Sequence, residues 1–234
     1  MTKPIAIITG ASTGLGRSLS VKLSNQYFIY LISRNREKLK KTDALILEKN
    51  NQCQIIEADV CEESSIDSIY SQIKNKSNIE LLINNAGVAL FKDITKLKIK
   101  DWDKQLNTNL RAPFLMTKMI IDDLKLKKSG KIVFINSVAG INPYRDSTSY
   151  VASKHGLKGF ASALREELRE HNVKVISIYP GAINTPLWDD LDMDSFRSEM
   201  MDPDDVSDII INAINAPGNC TTEEVVVRRV LGDF

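Results

Sequence analysis

The sequence is poor in the residues that build metal sites and disulfide frameworks. It contains two histidines, His155 and His171, and three cysteines, Cys53, Cys61 and Cys220, whose spacing matches no metal-ligand pattern. An odd number of scattered cysteines is typical of reduced thiols. We therefore expect no metal site and no disulfide framework.

The sequence also lacks an excess of one charge and long apolar runs. Its 31 basic residues nearly cancel its 30 acidic ones, leaving a net charge of +1, which argues against nucleic acid as the main partner. No apolar run approaches the roughly 20 residues that a membrane-spanning helix needs. The opening MTKPIAIITG leads into a strand pattern without the layout of a signal peptide. We expect a cytoplasmic protein that binds neither nucleic acid nor membrane.

Short β-branched runs alternate with longer helical patterns along almost the whole chain. Strands are predicted at residues 4–9, 28–33, 54–57, 79–84, 131–136, 173–179 and 223–228. Helices are predicted at 14–25, 36–50, 62–75, 101–127, 148–171 and 203–215. This alternation predicts an α/β Rossmann fold, a doubly wound parallel sheet of about seven strands with helices on both faces. The length suits a single domain over residues 1–234.

One segment, residues 186–201, shows no clear helical or strand periodicity in its sequence. It follows a predicted strand at the sheet edge where open α/β sheets bind ligands, so we interpret it as a substrate lid. A structural connection with a buried tryptophan is the alternative. The segment carries Trp188, Phe196 and the acids Asp189, Asp190, Asp192 and Asp194. The acids are expected to face water.

A glycine-rich turn, TGASTGLG, follows the first predicted strand. Gly10, Gly14 and Gly16 allow close approach of the backbone to a pyrophosphate, and free N–H groups at the helix start supply donors. The spacing of Gly10, Ser12 and Gly14 also matches the nucleophile elbow of hydrolases. Both histidines fall in or at the end of one predicted helix, which weighs against that interpretation. The turn therefore predicts a dinucleotide site.

The second predicted strand ends in Ser33, Arg34 and Asn35, where sites that favour NAD usually place an acidic residue. An arginine suits the 2′-phosphate of NADP(H), because a hydrogen bond to a charged group contributes on the order of 1.5 to 3 kcal/mol. We therefore predict that NADP(H) is preferred over NAD(H). A solvated arginine at the start of the next helix is the alternative.

Tyr150 and Lys154 lie four residues apart near the start of a predicted helix and so share one face. Tyr70 and Lys74 have the same spacing without a neighbouring motif, so spacing alone proves little. Tyr150 differs because Ser137 closes the preceding strand and places a hydroxyl at the edge where a cofactor binds. Three groups are thus expected to converge on one substrate oxygen.

At these motifs the chain resembles the short-chain dehydrogenase/reductase family, in the expected order over essentially its whole length. The resemblance assigns catalysis to Asn109, Ser137, Tyr150 and Lys154. It assigns contact with the adenine to Asp59 and Val60. It assigns contact with the nicotinamide carboxamide to Pro180-Gly181 together with Ile183 and Thr185. The cofactor contacts predicted in all are Gly10, Ser12, Thr13, Gly14, Leu15, Gly16, Ser33, Arg34, Asn35, Asp59, Val60, Asn85, Ala86, Gly87, Tyr150, Lys154, Pro180, Gly181, Ile183 and Thr185.

The resemblance implies transfer of a hydride between the nicotinamide and a small carbonyl compound or secondary alcohol. Tyr150 would be the general acid and base, and Ser137 would polarise the substrate oxygen. Lys154 would bind the nicotinamide ribose and lower the pKa of the phenol, from about 10 by some 2 to 3 units, if the site excludes water. Asn109 would anchor a water that links Lys154 to solvent. A catalytically silent NADP(H) sensor or scaffold is the alternative.

Two further expectations concern binding surfaces. The resemblance suggests a homodimer or homotetramer built on the helices at residues 101–127 and 148–171. Arg145 lies close to Tyr150 in the sequence and has two interpretations. One is contact with a substrate carboxylate, and the other, which we favour, is a surface pair with Asp146.

Overall fold

The computed structural model describes residues 3–189, 194–217 and 219–232. Seven parallel strands form one sheet in the order β3-β2-β1-β4-β5-β6-β7. The strands are β1 (Ile5–Thr9), β2 (Phe28–Ser33), β3 (Cys53–Glu57), β4 (Ile79–Asn84), β5 (Gly130–Ile135), β6 (Val173–Pro180) and β7 (Glu224–Val227). The predicted seven-stranded parallel sheet is confirmed.

The α-helices follow the strands in the order that the alternating pattern predicts. They are α1 (Gly14–Leu23), α2 (Arg36–Leu47), α3 (Glu63–Gln72), α4 (Ile99–Leu106), α5 (Ala112–Lys127), α6 (Thr148–Leu168) and α7 (Pro203–Ile214). Local sequence determines where these helices begin, as the start of α7 illustrates. The Asp202 side chain accepts from the backbone N–H of Asp204, and Pro203 occupies the first helical position. Within the described ranges, no helix is long and apolar enough to cross a bilayer.

The strands are apolar on both faces because each face is covered by helices. In β1, Ile5 and Ile7 belong to a core that includes residues of α3, α5 and α6. Ala6 and Ile8 belong to a second core that includes residues of α1, α2 and α7. Successive side chains of a strand point to opposite faces, so the sheet separates the two cores.

The chain reverses its direction of travel across the sheet between β1 and β4, which are hydrogen-bonded neighbours. The strands β2 and β3 lie on one side of this pair, and β5, β6 and β7 lie on the other. In open α/β sheets, such a reversal opens a crevice at the carboxyl ends of the strands, where ligands bind. The fold therefore places the glycine turn and the end of β4 side by side.

The helix predicted at residues 101–127 differs from the structure in its middle. It runs from α4 to α5 through one π-helical turn at Asn107–Arg111. Such turns insert one residue into the helical repeat and are frequent at functional sites. Asn109 is buried within this turn.

Candidate functional site

A cavity of about 810 Å³ opens at the carboxyl edge of the sheet, between the glycine turn and the start of α6. Of the predicted site residues, all but Asn35 and Asn109 are among the described residues that line it. One face of the molecule therefore brings together the two groups of residues that the sequence separates by more than 100 positions, the glycine turn and the Tyr150–Lys154 pair.

The glycine turn needs its glycines for two reasons. Gly10 and Gly14 have positive φ angles of 66° and 51°, a region that side chains disfavour. A Cβ atom on Gly16 would lie 2.3 Å from the carbonyl oxygen of Gly10, so the two backbone segments touch. Thr13 provides no side-chain cap for the described first turn of α1, which also holds no acidic residue. Its N–H donors and positive dipole end are thus available to an anion.

The end of β4 is fastened to this turn by Asn85. The hydroxyl oxygen of Thr9 accepts from the backbone N–H groups of Asn85 and Ala86, each at 3.0 Å. The Asn85 side chain donates to the carbonyl oxygens of Thr9 and Gly10, at 3.0 and 3.2 Å. These bonds hold the two neighbouring strand ends at a fixed separation across the crevice.

The Ser12 hydroxyl, which a hydrolase would use as its nucleophile, accepts instead from the Ser33 hydroxyl at 3.0 Å. Neither His155 nor His171 is among the described residues that line the cavity. A serine nucleophile requires a base within hydrogen-bond reach. The geometry therefore gives the hydrolase interpretation no support.

One end of the cavity contains Arg34 and Asp59, the second of which is predicted to contact an adenine. The Arg34 side chain is 64% exposed, and its Nη1 lies 3.6 Å from Oδ2 of Asp59. Asn35, also a predicted cofactor contact, is not among the described residues that line the cavity. Its side chain caps α2 by accepting from the backbone N–H of Lys38 at 2.9 Å. An asparagine immediately before a helix satisfies an otherwise unpaired N–H donor, so this amide oxygen is engaged by the start of α2.

The predicted catalytic side chains Ser137, Tyr150 and Lys154 are buried together. The Ser137 hydroxyl oxygen accepts from the backbone N–H of Ala139 at 3.1 Å. Burial raises the pKa of Tyr150, and the neighbouring Ser137 side chain acts in the opposite direction. Burial lowers the pKa of Lys154 to about 8. The ammonium of Lys154 donates to the carbonyl oxygen of Ile135 at 3.0 Å and lies 5.8 Å from the centre of the Tyr150 ring.

The direction of the Tyr150 pKa shift is opposite to the one expected from a neighbouring ammonium. Loss of water around a buried phenol disfavours the phenolate. The Lys154 ammonium is engaged by a backbone carbonyl and lies 5.8 Å from the centre of the ring, and it suffers its own loss of hydration. In this structure the phenol is therefore held in its protonated form.

Asn109 lies beside the cavity and fastens its wall. Its Oδ1 accepts from the backbone N–H of Val88 at 2.9 Å, and its Nδ2 donates to the carbonyl oxygen of Val88 at 2.9 Å and to Oγ of Ser153 at 3.1 Å. The amide thus connects the loop after β4 to α6, directly before Lys154 in the sequence. A role as anchor for a water remains a prediction.

Two aromatic residues near Tyr150 were not predicted as site residues. The ring of Phe91 packs edge to face on the Tyr150 ring, with 5.5 Å between centroids. Its centroid lies 6.0 Å from that of Trp188, whose indole N–H donates to the carbonyl oxygen of Ile183 at 2.9 Å. Phe91 had no periodic or motif signal, because the loop that carries it is irregular.

The predicted lid contributes Pro186, Leu187 and Trp188 to the cavity wall. Asp189 pairs with Arg197 at 2.6 Å. Asp190 and Asp192 lie outside the described residues, as does the side chain of Asp194.

Arg145 lies on the surface at the edge of the cavity. Its side chain is 95% exposed, and its Nε lies 3.9 Å from Oδ2 of Asp146. This geometry agrees with the favoured surface pair rather than with a built carboxylate site.

Comparison with known proteins gives consistent similarities. The family model for short chain dehydrogenases matches residues 4–195. The chain is 30% identical over 241 residues to a sepiapterin reductase of Chlorobaculum tepidum, covering 99% of this chain and 98% of the relative. A metagenomic short-chain oxidoreductase solved in complex with NADP has 29% identity and a TM-score of 0.85, covering 98% of each chain. An actinorhodin polyketide ketoreductase variant solved with NADPH has a TM-score of 0.90 over 100% of both chains, and its 24% identity shows similarity of fold alone.

Proposed function

Since the chain belongs to the short-chain dehydrogenase family of oxidoreductases, we propose that it transfers a hydride between NADP(H) and a small carbonyl compound or secondary alcohol. The observation that carries the proposal is that Ser137, Tyr150 and Lys154 are buried together in the wall of the same cavity as the glycine turn. These groups have no evident use in a protein that only stores or senses a nucleotide.

The residues of the cavity fit a nicotinamide dinucleotide. The uncapped start of α1 offers N–H donors to a pyrophosphate, and the contact between Gly16 and Gly10 leaves the turn no room for side chains. Arg34 supplies the positive charge that a 2′-phosphate requires, and a similar oxidoreductase has been solved with NADP. When bound, the cofactor supplies or accepts the hydride.

The chain's own residues handle the proton. The raised pKa keeps the proton on Tyr150 at neutral pH, so that the phenol can donate it to the oxygen of a carbonyl substrate. The Ser137 hydroxyl, buried in the same cavity wall, would donate a hydrogen bond to that oxygen and stabilise negative charge on it. With a pKa of about 8, roughly nine-tenths of Lys154 is charged at pH 7, and this charge favours the phenolate that remains after donation.

The proposal is tested by following NADPH absorbance with a broad panel of ketones, aldehydes and diketones. We expect turnover of at least one class, with NADPH consumed in proportion to the alcohol formed. Tight NADPH binding without turnover on any member would instead favour the sensor or scaffold function.

We also propose that the protein is a homodimer or homotetramer that associates through α4, α5 and α6. Phe114 on α5 is 43% exposed and packs against Phe160 of α6, with 6.1 Å between ring centroids. Light scattering of the purified protein tests this proposal, and a monomer mass would contradict it.

A further inference from the structure

Gln105 in α4 is buried, with 1% of its surface exposed, although glutamine is usually a surface residue. Its Oε1 accepts from the backbone N–H of Leu90 at 3.0 Å. Its Nε2 donates to the carbonyl oxygen of Leu90 at 3.3 Å and to Oγ of Ser149. Each polar atom of this side chain is therefore engaged, and both polar groups of one loop residue are held by it.

The contacts of Gln105 repeat those of Asn109, one helical turn further along. Asn109 holds both backbone groups of Val88 and donates to Ser153. Gln105 thus holds Leu90 and Ser149. Asn109, four residues later, holds Val88 and Ser153 in the same way. Ser149 and Ser153 directly precede Tyr150 and Lys154. We call Gln105, Asn109 and the residues that they hold the amide clamp.

The Gln105 half of the amide clamp fixes the backbone position of the residue that precedes Phe91. Leu90 is the residue before Phe91, and both of its backbone groups are fixed by one side chain. The Phe91 ring in turn contacts both Tyr150 and Trp188. A displacement of Leu90 would therefore be transmitted to the ring that supports the phenol and to the wall beside it.

We propose that Gln105 is a positioning residue, which holds residues 88–91 so that Phe91 keeps the Tyr150 ring in line with Ser137 and, with Trp188, forms one wall of the substrate site. The inference rests on the proposed function, because it assigns Gln105 a part in the same reaction. It concerns the reacting end of the cavity, and Gln105 is not among the described residues that line the cavity itself.

The first test is the steady-state kinetics of Gln105→Met, which keeps the length of the side chain and removes its hydrogen bonds. We expect kcat for carbonyl reduction to fall about tenfold or more while KM for NADPH stays within about twofold, because the glycine turn is untouched. Ser149→Ala, which removes a single bond of the clamp, should lower kcat in the same direction by a smaller factor. The Ser149→Ala variant keeps the test decisive if Gln105→Met does not fold. Gln72→Met is the control, because Gln72 is an exposed glutamine of α3 that donates to the Ser68 carbonyl oxygen at 3.1 Å.

The second test is independent of turnover. In a Trp102→Phe background, Trp188 is the remaining tryptophan, and its fluorescence reports on the contact with Phe91. Quenching by acrylamide should increase in both Gln105→Met and Phe91→Ala and stay unchanged in Gln72→Met.

The outcomes separate the two proposals. Unchanged quenching in Gln105→Met, together with increased quenching in Phe91→Ala, would overturn the positioning role, as would a kcat within about twofold of the parent protein. If the parent protein reduces no carbonyl compound, the proposed function fails, and the quenching measurement alone decides whether Gln105 positions Phe91.

Discussion

Replacement of Arg34 by alanine should weaken the binding of NADPH and leave the binding of NADH nearly unchanged. Arg34 is 64% exposed and lines the cavity beside Asp59. Two unit charges 4 Å apart attract by about 1 kcal/mol in water and about 4 kcal/mol at an effective dielectric of 20. Its exposure places Arg34 near the lower value, and Asp59 at 3.6 Å offsets part of its charge. We therefore expect a loss of about 1.4 kcal/mol, which corresponds to about a tenfold increase in KM for NADPH.

The assay compares initial rates with NADPH and with NADH at low and high salt. NADH lacks the 2′-phosphate, so its KM should change by less than about twofold. The loss with NADPH should shrink as salt screens the interaction. Arg36→Ala is the matched control, because Arg36 is an exposed neighbour that is not among the described residues lining the cavity. Equal losses with both cofactors would refute the assignment of Arg34 to the 2′-phosphate.

Two further predictions concern stability and the glycine turn. Burial lowers the pKa of Lys154 from 10.5 to about 8, so between these values the folded protein binds fewer protons than the unfolded chain and its stability should rise with pH. Lys154→Met should remove up to about 3 kcal/mol of this rise, measured by urea unfolding at pH 7 and pH 10. Gly16→Ala places a Cβ 2.3 Å from the Gly10 oxygen. It should lower stability by about 1–3 kcal/mol and weaken NADPH binding about tenfold or more.

Each of these has a control within the chain. The Lys154 effect is the difference between two proteins across one pH interval, so contributions from other titrating groups cancel. Parallel pH curves would contradict it. Gly159→Ala in α6 places its methyl where no described atom lies within 4 Å apart from its chain neighbours and its own helix backbone, so it should raise stability by up to about 1 kcal/mol. Similar losses in both glycine variants would contradict the steric argument for Gly16.

Much of the fold and part of the site follow from the sequence because parallel strands all end at one edge. Alternating runs predict the sheet, and residues that follow its strands then meet there whatever their separation in the chain. This rule brought Gly10 and Ser137 into one cavity. It also separated Tyr150 from Tyr70, whose hydroxyl donates to Asp123 on α5.

The features that were not predicted depend on contacts between irregular segments. Phe91 meets Trp188 across 97 positions, and no periodicity encodes where either loop lies. The sequence predicts Gln105 only as a polar residue of a helix, and its contact with Leu90 is evident only in the structure. From the sequence we expect the pKa of Tyr150 to fall, but in the structure it rises because burial outweighs the opposing effect of Ser137. Such balances depend on distances and hydration that a motif does not contain.

The most direct test of the central claim is the turnover of Tyr150→Phe with NADPH and the best substrate of the panel, beside the affinity of the same variant for NADPH. This substitution removes only the hydroxyl and keeps the ring that packs against Phe91. We expect kcat to fall by about a factor of 10² to 10⁴ while the Kd for NADPH stays nearly unchanged. A variant that kept more than about a tenth of the parent kcat would contradict the assignment of Tyr150 as the proton donor.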